Sequence, residues 1–495
     1  MRPFSALRTA RRRLALQVSD GNRTQITKLA NGLRVVTDST PGHFTALGAY
    51  IDAGSRYETS KTSGISHMID RMAWKLTPTR SGQQMMEDLA RLGGNYMAGA
   101  QRELVLYQLS VFNKDIDKMF GCIAETIREP LFSDVEVVEA QQTALYELEE
   151  LAFKHELFLP EVLHAAAYGP KTLGMPLYGS EQSVVSATPE EVRSFHSQFY
   201  QPQNTVLAFV GVEHDKAVQM AQAQLGDWAN SGNPTSAGRE KAQYVGGEIC
   251  LPYQEPRFSN LPKLVHMQIA FETEGLLSED LYALATLQKL LGGGSSFSAG
   301  GPGKGMFSRL FRVLNQYPFV ENCMAFNHAH LDSGLFGITI SCYVEHAEYM
   351  AQVVAHELLR IMETDVNKGG IVGTEFKRAK NQLVASLLMN VESKLAALED
   401  IGRQVQCQGK VTTVDDMVAK IEQLSIEDVR KVAQKVFGGQ GNGAQLAKAS
   451  VVMQGERGLF GDVEYVMRYF GLGKYDTPMP DGPRDYTKKG LSRFF

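Results

Sequence analysis

The sequence predicts an α+β protein made of two homologous halves, each an antiparallel sheet flanked by helices. Three observations carry this expectation. First, LYQLSVFNKDIDKMFGCIAETI at 106–127 resembles FGITISCYVEHAEYMAQVVAHEL at 336–358. Each is an alternating strand, a short turn and an amphipathic helix. Second, Thr188-Pro-Glu-Glu-Val-Arg193, which leads to the strand-like NTVLAFVG, has a later counterpart in Ser425-Ile-Glu-Asp-Val-Arg430, which leads to ASVVMQG. Both open a helix on a hydroxyl N-cap with acids in the first turn. The two pairs stand in the same order at similar offsets, which chance likeness between generic strand–helix units does not give. Third, the strands lack the regular β-α-β alternation of a doubly wound sheet, which favours antiparallel pairing.

At 495 residues the chain is too long for one core. The two copies divide it into an N-terminal domain over 21–229 and a C-terminal domain over 263–472. A polar, Gly- and Pro-containing linker is expected over 230–262, and a polar tail over 473–495. Residues 1–20 differ from everything that follows. Arg2, Arg8, Arg11, Arg12 and Arg13 are separated by Ser, Thr, Ala and Leu, with no acid before Asp20. That is the composition of a mitochondrial transit peptide; the bland alternative is a disordered basic arm. No continuous apolar region marks a secretory signal.

Composition narrows the function classes. A hydrophobic share of 43% with 21% charged residues suits a soluble globular chain, and no apolar run approaches a membrane span. A net charge of −5 argues against a nucleic-acid partner and favours a basic one. Cys122, Cys250, Cys323, Cys342 and Cys407 lie far apart without a C-x-x-C pair, so reduced thiols are expected.

Two stretches carry chemistry. The first is Ser63-Gly-Ile-Ser-His67-Met-Ile-Asp70-Arg71-Met-Ala-Trp74. An H-x-x-E-H helix presents two zinc-binding histidines on one face, with a glutamate as general base. Here His67 stands at the first position, Asp70 is a shorter carboxylate at the base position, and Arg71 replaces the second histidine. A guanidinium offers no lone pair and repels a divalent cation. Downstream, Tyr146-Glu147-Leu-Glu149-Glu150 places Glu147 where such enzymes carry their third ligand. His67 and Glu147 fall short of the three protein ligands a catalytic zinc needs. The expectation is a degenerate remnant (His67, Asp70, Arg71, Glu147) with no catalytic residue and no metal on this chain.

The second stretch is Gly292, Gly293, Gly294, Ser295, Ser296, Phe297, Ser298, Ala299, Gly300, Gly301, Pro302, Gly303, Lys304 and Gly305. A phosphate loop needs Ser or Thr after Gly-Lys, but Gly305 follows Gly303-Lys304, and a helix-like run at 281–291 precedes the stretch. A surface connection is the bland reading. The sharper one is a mobile flap that offers backbone groups, and one apolar contact from Phe297, to an extended or helical peptide.

These residues carry a resemblance. LANGLRVVTDSTPGHFTALGAYIDAGSRYE, HMIDRMAWK, ARLGGNY, YPFVENCMAFNH and above all LLGGGSSFSAGGPGKGMFSRL resemble the pitrilysin-like inverzincins, in the branch of mitochondrial processing peptidase α subunits of fungal type. The resemblance runs from about Leu29 to the tail. It implies a non-catalytic, substrate-recognition subunit in the mitochondrial matrix. It also implies a heterodimer with a catalytic β subunit that has an intact H-x-x-E-H and holds the zinc. The glycine stretch would bind presequences of imported precursors. A structural core protein of the respiratory cytochrome bc complex is the alternative within the same family.

Overall fold

The computed structural model describes residues 23–230, 239–256, 261–296, 306–439 and 448–475. Among them, two six-stranded sheets organise the chain. The first holds β1 (Thr24–Lys28), β2 (Arg34–Asp38), β3 (Phe44–Ile51), β4 (Asn95–Ala100), β5 (Val105–Phe112) and β6 (Thr205–Val210), in the order β1-β2-β6-β3-β5-β4. The second holds β7 (Glu248–Leu251), β8 (Leu264–Thr273), β9 (Gly293–Ser295), β10 (Val320–Ala329), β11 (Gly334–Tyr343) and β12 (Ser450–Gln454), in the order β7-β12-β8-β11-β10-β9. Set β1 and β9 aside and the orders coincide, β2-β6-β3-β5-β4 against β7-β12-β8-β11-β10. The duplication read from the sequence is therefore a duplication of topology.

The repeated segments fold as expected. β5 leads through a short 3-10 turn to helix Ile116–Arg128, and β11 leads likewise to Met350–Met362. Thr188 Oγ1 accepts from the Glu191 N–H at 3.2 Å, and Ser425 Oγ accepts from the Asp428 N–H at 3.2 Å. Each is a capping box that satisfies donors a helix start leaves orphaned. Two expectations need correcting. Pairing is parallel at β2–β6 and at β7–β12, so each sheet is mixed. In the first half the reason is geometric. β2 and β3 run in opposite directions, so the last strand, inserted between them, must run parallel to one. The expected linker over 230–262 also contains β7, whose main chain pairs with β12.

The halves are interlocked by an exchange of helices. Helix His155–Tyr168 precedes the first family of repeats' final strand, yet its Leu159, Leu163 and Ala167 pack on Ala270 of β8 and Val452 of β12. In return, helix Lys394–Gln408 places Leu398, Ile401 and Val405 against Val36, Ala46, Val206 and Ala208 of the first sheet. Both sheets are thus covered on two faces, one by their own helices and one by a borrowed helix. That is why β3, β6, β11 and β12 read as near-continuous apolar runs. Each fully buried Leu contributes about 1.5–3 kcal/mol. Gly402 permits the close fit, since a Cβ there would lie 2.2 Å from the Tyr50 ring.

The β10–β11 turn closes the seam between the halves. Arg56 reaches from the first half to Asp332 with two bonds of 2.7 and 2.5 Å, and to Glu103 at 2.7 Å. Glu103 also accepts from the Leu331 N–H at 2.9 Å, and Tyr168 Oη pairs with Ser333 Oγ at 2.9 Å. A bidentate guanidinium pair fixes direction as well as distance.

Candidate functional site

Helix Ile65–Arg71 carries the His67-x-x-Asp70-Arg71 motif. Seven residues are too few to form a stable helix alone, so its start is held by tertiary contacts. Glu58 accepts from the Gly64 N–H at 2.7 Å, the Ser66 N–H at 2.8 Å and Ser66 Oγ at 2.5 Å. Gly64 takes φ +89° and lies against Gly179, where a Cβ would meet backbone at 3.0 Å. Burial pushes the Glu58 carboxyl up to about 7, and the three donors offset part of that rise. No sequence pattern pointed to Glu58; the cap is formed across a loop and not by the usual N-cap position.

The four motif residues converge. Helix Asp134–Leu151, started by the Ser133–Glu136 capping box, carries Glu147 to the face of the first helix. His67 Nε2 lies 2.7 Å from Glu147 Oε2, and His67 Nδ1 lies 3.7 Å from Asp70 Oδ2. Arg71 Nε reaches the same Glu147 oxygen at 3.2 Å, while its Nη1 lies 3.6 Å from Asp70 Oδ1. Asp70 Oδ2 accepts from the Ala100 N–H at 2.8 Å, which ties the helix to the end of β4. The Tyr178 ring packs edge-on against His67 at 4.9 Å.

The electrostatics follow from this geometry. Burial opposes charging His67, but the bonds to Asp70 and Glu147 outweigh it and raise its pKa. Burial likewise opposes charging Glu147, and is outweighed by His67 and Arg71, which hold its carboxyl below the ordinary range. His67 and Arg71 therefore face Asp70 and Glu147. These residues do not fit a zinc ion. Arg71 has no lone pair to offer a metal, and its guanidinium already lies against the Glu147 carboxylate at 3.2 Å.

The glycine stretch departs from expectation where it begins. Gly293, Gly294 and Ser295 form β9, an edge strand paired with Met324, Cys323 and Asn322 of β10. Gly292 O accepts from the Ala325 N–H at 2.9 Å, and Ser296 N–H donates to Glu321 O at 2.8 Å. Gly293 takes φ +110°, and a Cβ there would lie 2.1 Å from Cys323 O. Glycine is required at that point for backbone contact with a neighbouring strand. Sequence reasoning expected a loop over 292–305; the close approach of main chain to main chain makes 293–295 a strand. Phe297, Ser298, Ala299, Gly300, Gly301, Pro302, Gly303, Lys304 and Gly305 lie outside the described residues, as do positions 1–22 and 476–495.

Elsewhere, a cavity of ≈ 680 Å³ opens along the seam; His164, His330, Tyr282 and Leu387 are among its walls, and none of the four motif residues is. All five cysteines are unpaired. No helix among the described residues is long and apolar enough to cross a membrane.

Comparisons place this architecture. Residues 34–181 match the family described as Insulinase (Peptidase family M16), and residues 186–383 match the Peptidase M16 inactive domain. A mitochondrial-processing peptidase subunit alpha of Neurospora crassa is 40% identical, covering 85% of this chain and 84% of that one. A probable subunit of the same name from Schizosaccharomyces pombe is 39% identical over 91% of this chain and 90% of its own length. The human one is 34% identical over 84% and 80%. Among solved structures, a chain of Complex III2 from Candida albicans, with Inz-5 bound, superposes with a TM-score of 0.73 over 90% of this chain and 99% of that one. At 19% identity that likeness is one of fold. The chain belongs to the M16 peptidase family, among the α subunits of the mitochondrial processing peptidase.

Proposed function

We propose that this chain is the substrate-recognition, non-catalytic α subunit of a processing peptidase that removes presequences from imported mitochondrial precursors. In this reading it works in the mitochondrial matrix and forms a heterodimer with a catalytic β subunit, which holds the zinc. The observation that carries the reading is Arg71, whose guanidinium sits on Glu147 within a helix of the M16 family. The identity of 40% to the Neurospora α subunit supports the assignment of role. This chain supplies no ligand set and no base to the reaction; its part is to bind and orient. A receptor for many unrelated presequences must not demand particular side chains, and a glycine-rich segment offers main-chain donors and acceptors with little else. Its ordering costs entropy on closure, which suits weak, reversible capture.

A core protein of the respiratory bc complex is the second reading, favoured by the Candida albicans Complex III2 likeness in fold. Purification separates the two. A soluble heterodimer with a zinc-bearing β chain is the expected result; co-purification with haem and membrane would shift the assignment to the second reading. The chain purified alone is expected to hold no stoichiometric zinc and to cleave nothing, and stoichiometric zinc in that preparation would overturn the non-catalytic reading. N-terminal sequencing of the protein from mitochondria is expected to find residues 1–20 removed.

A further inference from the structure

The seam cavity of ≈ 680 Å³ has the volume of a small-molecule site. No motif residue and no described residue of the glycine stretch lines it. Part of its wall is apolar. Helices Leu281–Leu291, Gly373–Glu392 and Val414–Gln423 pack on one another and line it with Leu281, Ala285, Leu383, Leu387, Met417 and Ile421. Another part is a cluster of imidazoles on helix His155–Tyr168 and around the end of β10. His164 Nδ1 lies 2.7 Å from Pro160 O, so that nitrogen carries the proton and donates. Its Nε2 then accepts from His330 Nε2 at 3.0 Å. His328 completes the cluster, with its ring 5.4 Å from that of His164 and 4.9 Å from that of Phe326. Unlike the other two, the His328 ring makes no hydrogen bond among the described residues. Burial, with Arg102 nearby, pulls all three below the ordinary range, His328 to about 4 and His330 to about 3, so the cluster is uncharged at neutral pH.

The described guanidiniums on the wall are each paired with a carboxylate. Arg102 donates to the two oxygens of Glu161 at 2.9 and 3.0 Å, Arg239 to those of Asp52 at 2.7 and 2.8 Å, and Arg403 Nε to Glu399 at 2.8 Å. Asp400 accepts from Gln404 Nε2 at 2.9 Å, and burial raises its carboxyl, which favours the neutral form. A charged ligand would give up its hydration here for little in return. A neutral one gives up less. It fills apolar space and offers the His328 imidazole the hydrogen bond it lacks. We propose that the seam cavity binds a small uncharged molecule, an apolar body ending in a hydroxyl or amide. The His328 imidazole takes the head, and the three helices take the body. Binding to the folded chain alone raises its melting temperature as ligand is added. The inference stands apart from presequence recognition and does not rest on it.

The test uses the full chain and probes that share one body: 2-naphthylmethanol, its headless form 2-methylnaphthalene, the anion 2-naphthoate and the cation 2-naphthylmethylamine. Titration calorimetry is expected to find 2-naphthylmethanol bound saturably at one site per chain, about tenfold or more tighter than either ion. His328→Phe keeps a flat ring and removes its nitrogens. It should weaken 2-naphthylmethanol about three- to tenfold, the scale of one neutral hydrogen bond, and leave 2-methylnaphthalene unchanged. Ala285→Trp fills the apolar part and should abolish binding of both. Melting curves show whether each variant is folded; if Ala285→Trp is not, His328→Phe and the headless probe decide alone. Uptake of none of the probes by wild type overturns the site, and so does unchanged binding of the alcohol by His328→Phe. Tightest binding by the amine overturns the uncharged class and gives the ligand to Asp400.

Discussion

The two halves share five strands in the same order, and they differ at their edges: β1 extends the first sheet beyond β2, and β9 extends the second beyond β10. In the first half β4 ends its sheet, beside the helix that carries His67, Asp70 and Arg71. In the second half the corresponding strand, β10, is covered by β9, the start of the glycine stretch. The connection that follows the first helix after β3 is short and holds side chains in place, with Trp74 at φ +62° and buried. The equivalent connection after helix Leu281–Leu291 is the glycine stretch itself. One frame therefore carries two different devices. The first half sets Arg71 against Glu147 beside its edge strand, and the second runs its edge strand into the glycine stretch.

The largest expected effect tests how each half uses ion pairs. Arg309 and Glu375 in the second half are buried and bonded at 2.6 Å, with Arg309 also donating to Gly369 O and Gly370 O. Arg309→Ala removes the nearer cation of the buried Glu375 carboxylate, leaving it the more exposed Arg312 at 3.6 Å, and should cost about 3 kcal/mol. Arg71 is more than a third exposed, so Arg71→Ala should cost about 1 kcal/mol or less after solvent screening. Urea unfolding of both variants measures the difference. Equal losses would mean that Arg71 has become a structural anchor comparable to Arg309.

The helix exchange gives the next effect. Leu163 and Leu398 are fully buried on borrowed sheets. Leu163→Ala and Leu398→Ala should each cost about 2–5 kcal/mol. Because each helix is covalently part of the other half, both substitutions should lower one shared melting transition. Two separated transitions in either variant would show that the halves are energetically independent.

The exchange was not legible in the sequence, although its ingredients were. Apolar spacing in LHAAAY and LAALEDIG announces buried helices, but nothing in a helix says which sheet it covers. The duplication, the caps at Thr188 and Ser425 and the motif His67-x-x-Asp70-Arg71 were readable because local periodicity and chemistry decide them. β7 was missed because a short strand among Gly and Pro owes its existence to pairing with β12, which is remote in sequence. β9 was missed for the same reason, since triple glycine has low strand propensity and is recruited only by the close approach of β10. Glu58 was missed because its carboxylate caps a helix from across a loop. What the sequence leaves hidden is consistently the long-range contact.

A smaller effect separates the halves by pH. The His67 pKa is raised in the folded chain above the ordinary 6.5, so its contribution is full below 6.5 and is lost as pH rises through the folded value. The Glu147 pKa is lowered from 4.5, so its contribution is present above 4.5 and is lost as pH falls through the folded value. The cluster is therefore strongest between about pH 4.5 and 6.5. The melting temperature of wild type relative to His67→Gln should show its widest gap there and narrow toward alkaline pH. A gap that is flat across pH would assign His67 a packing role only.

The last comparison contrasts the two parts of the glycine stretch, and its expected effect on stability is the smallest. Gly293 is built into β9, and Gly293→Ala should force β9 away from β10, because the new methyl would meet Cys323 O. Gly300 to Gly305 offers backbone and little side chain. Deleting Gly300 to Gly305 should leave the melting temperature of the heterodimer and its pairing with the β subunit unchanged. Affinity for a fluorescent presequence peptide should fall, and processing should slow at subsaturating precursor. The pH dependence of the chemical step should not move, since that step would belong to the β subunit. Unchanged peptide affinity would reduce residues 300–305 to a spacer and place recognition elsewhere. A collapsed melting temperature would instead show that the segment packs on the core as β9 does, and the division of the stretch into an anchored start and a binding remainder would fail.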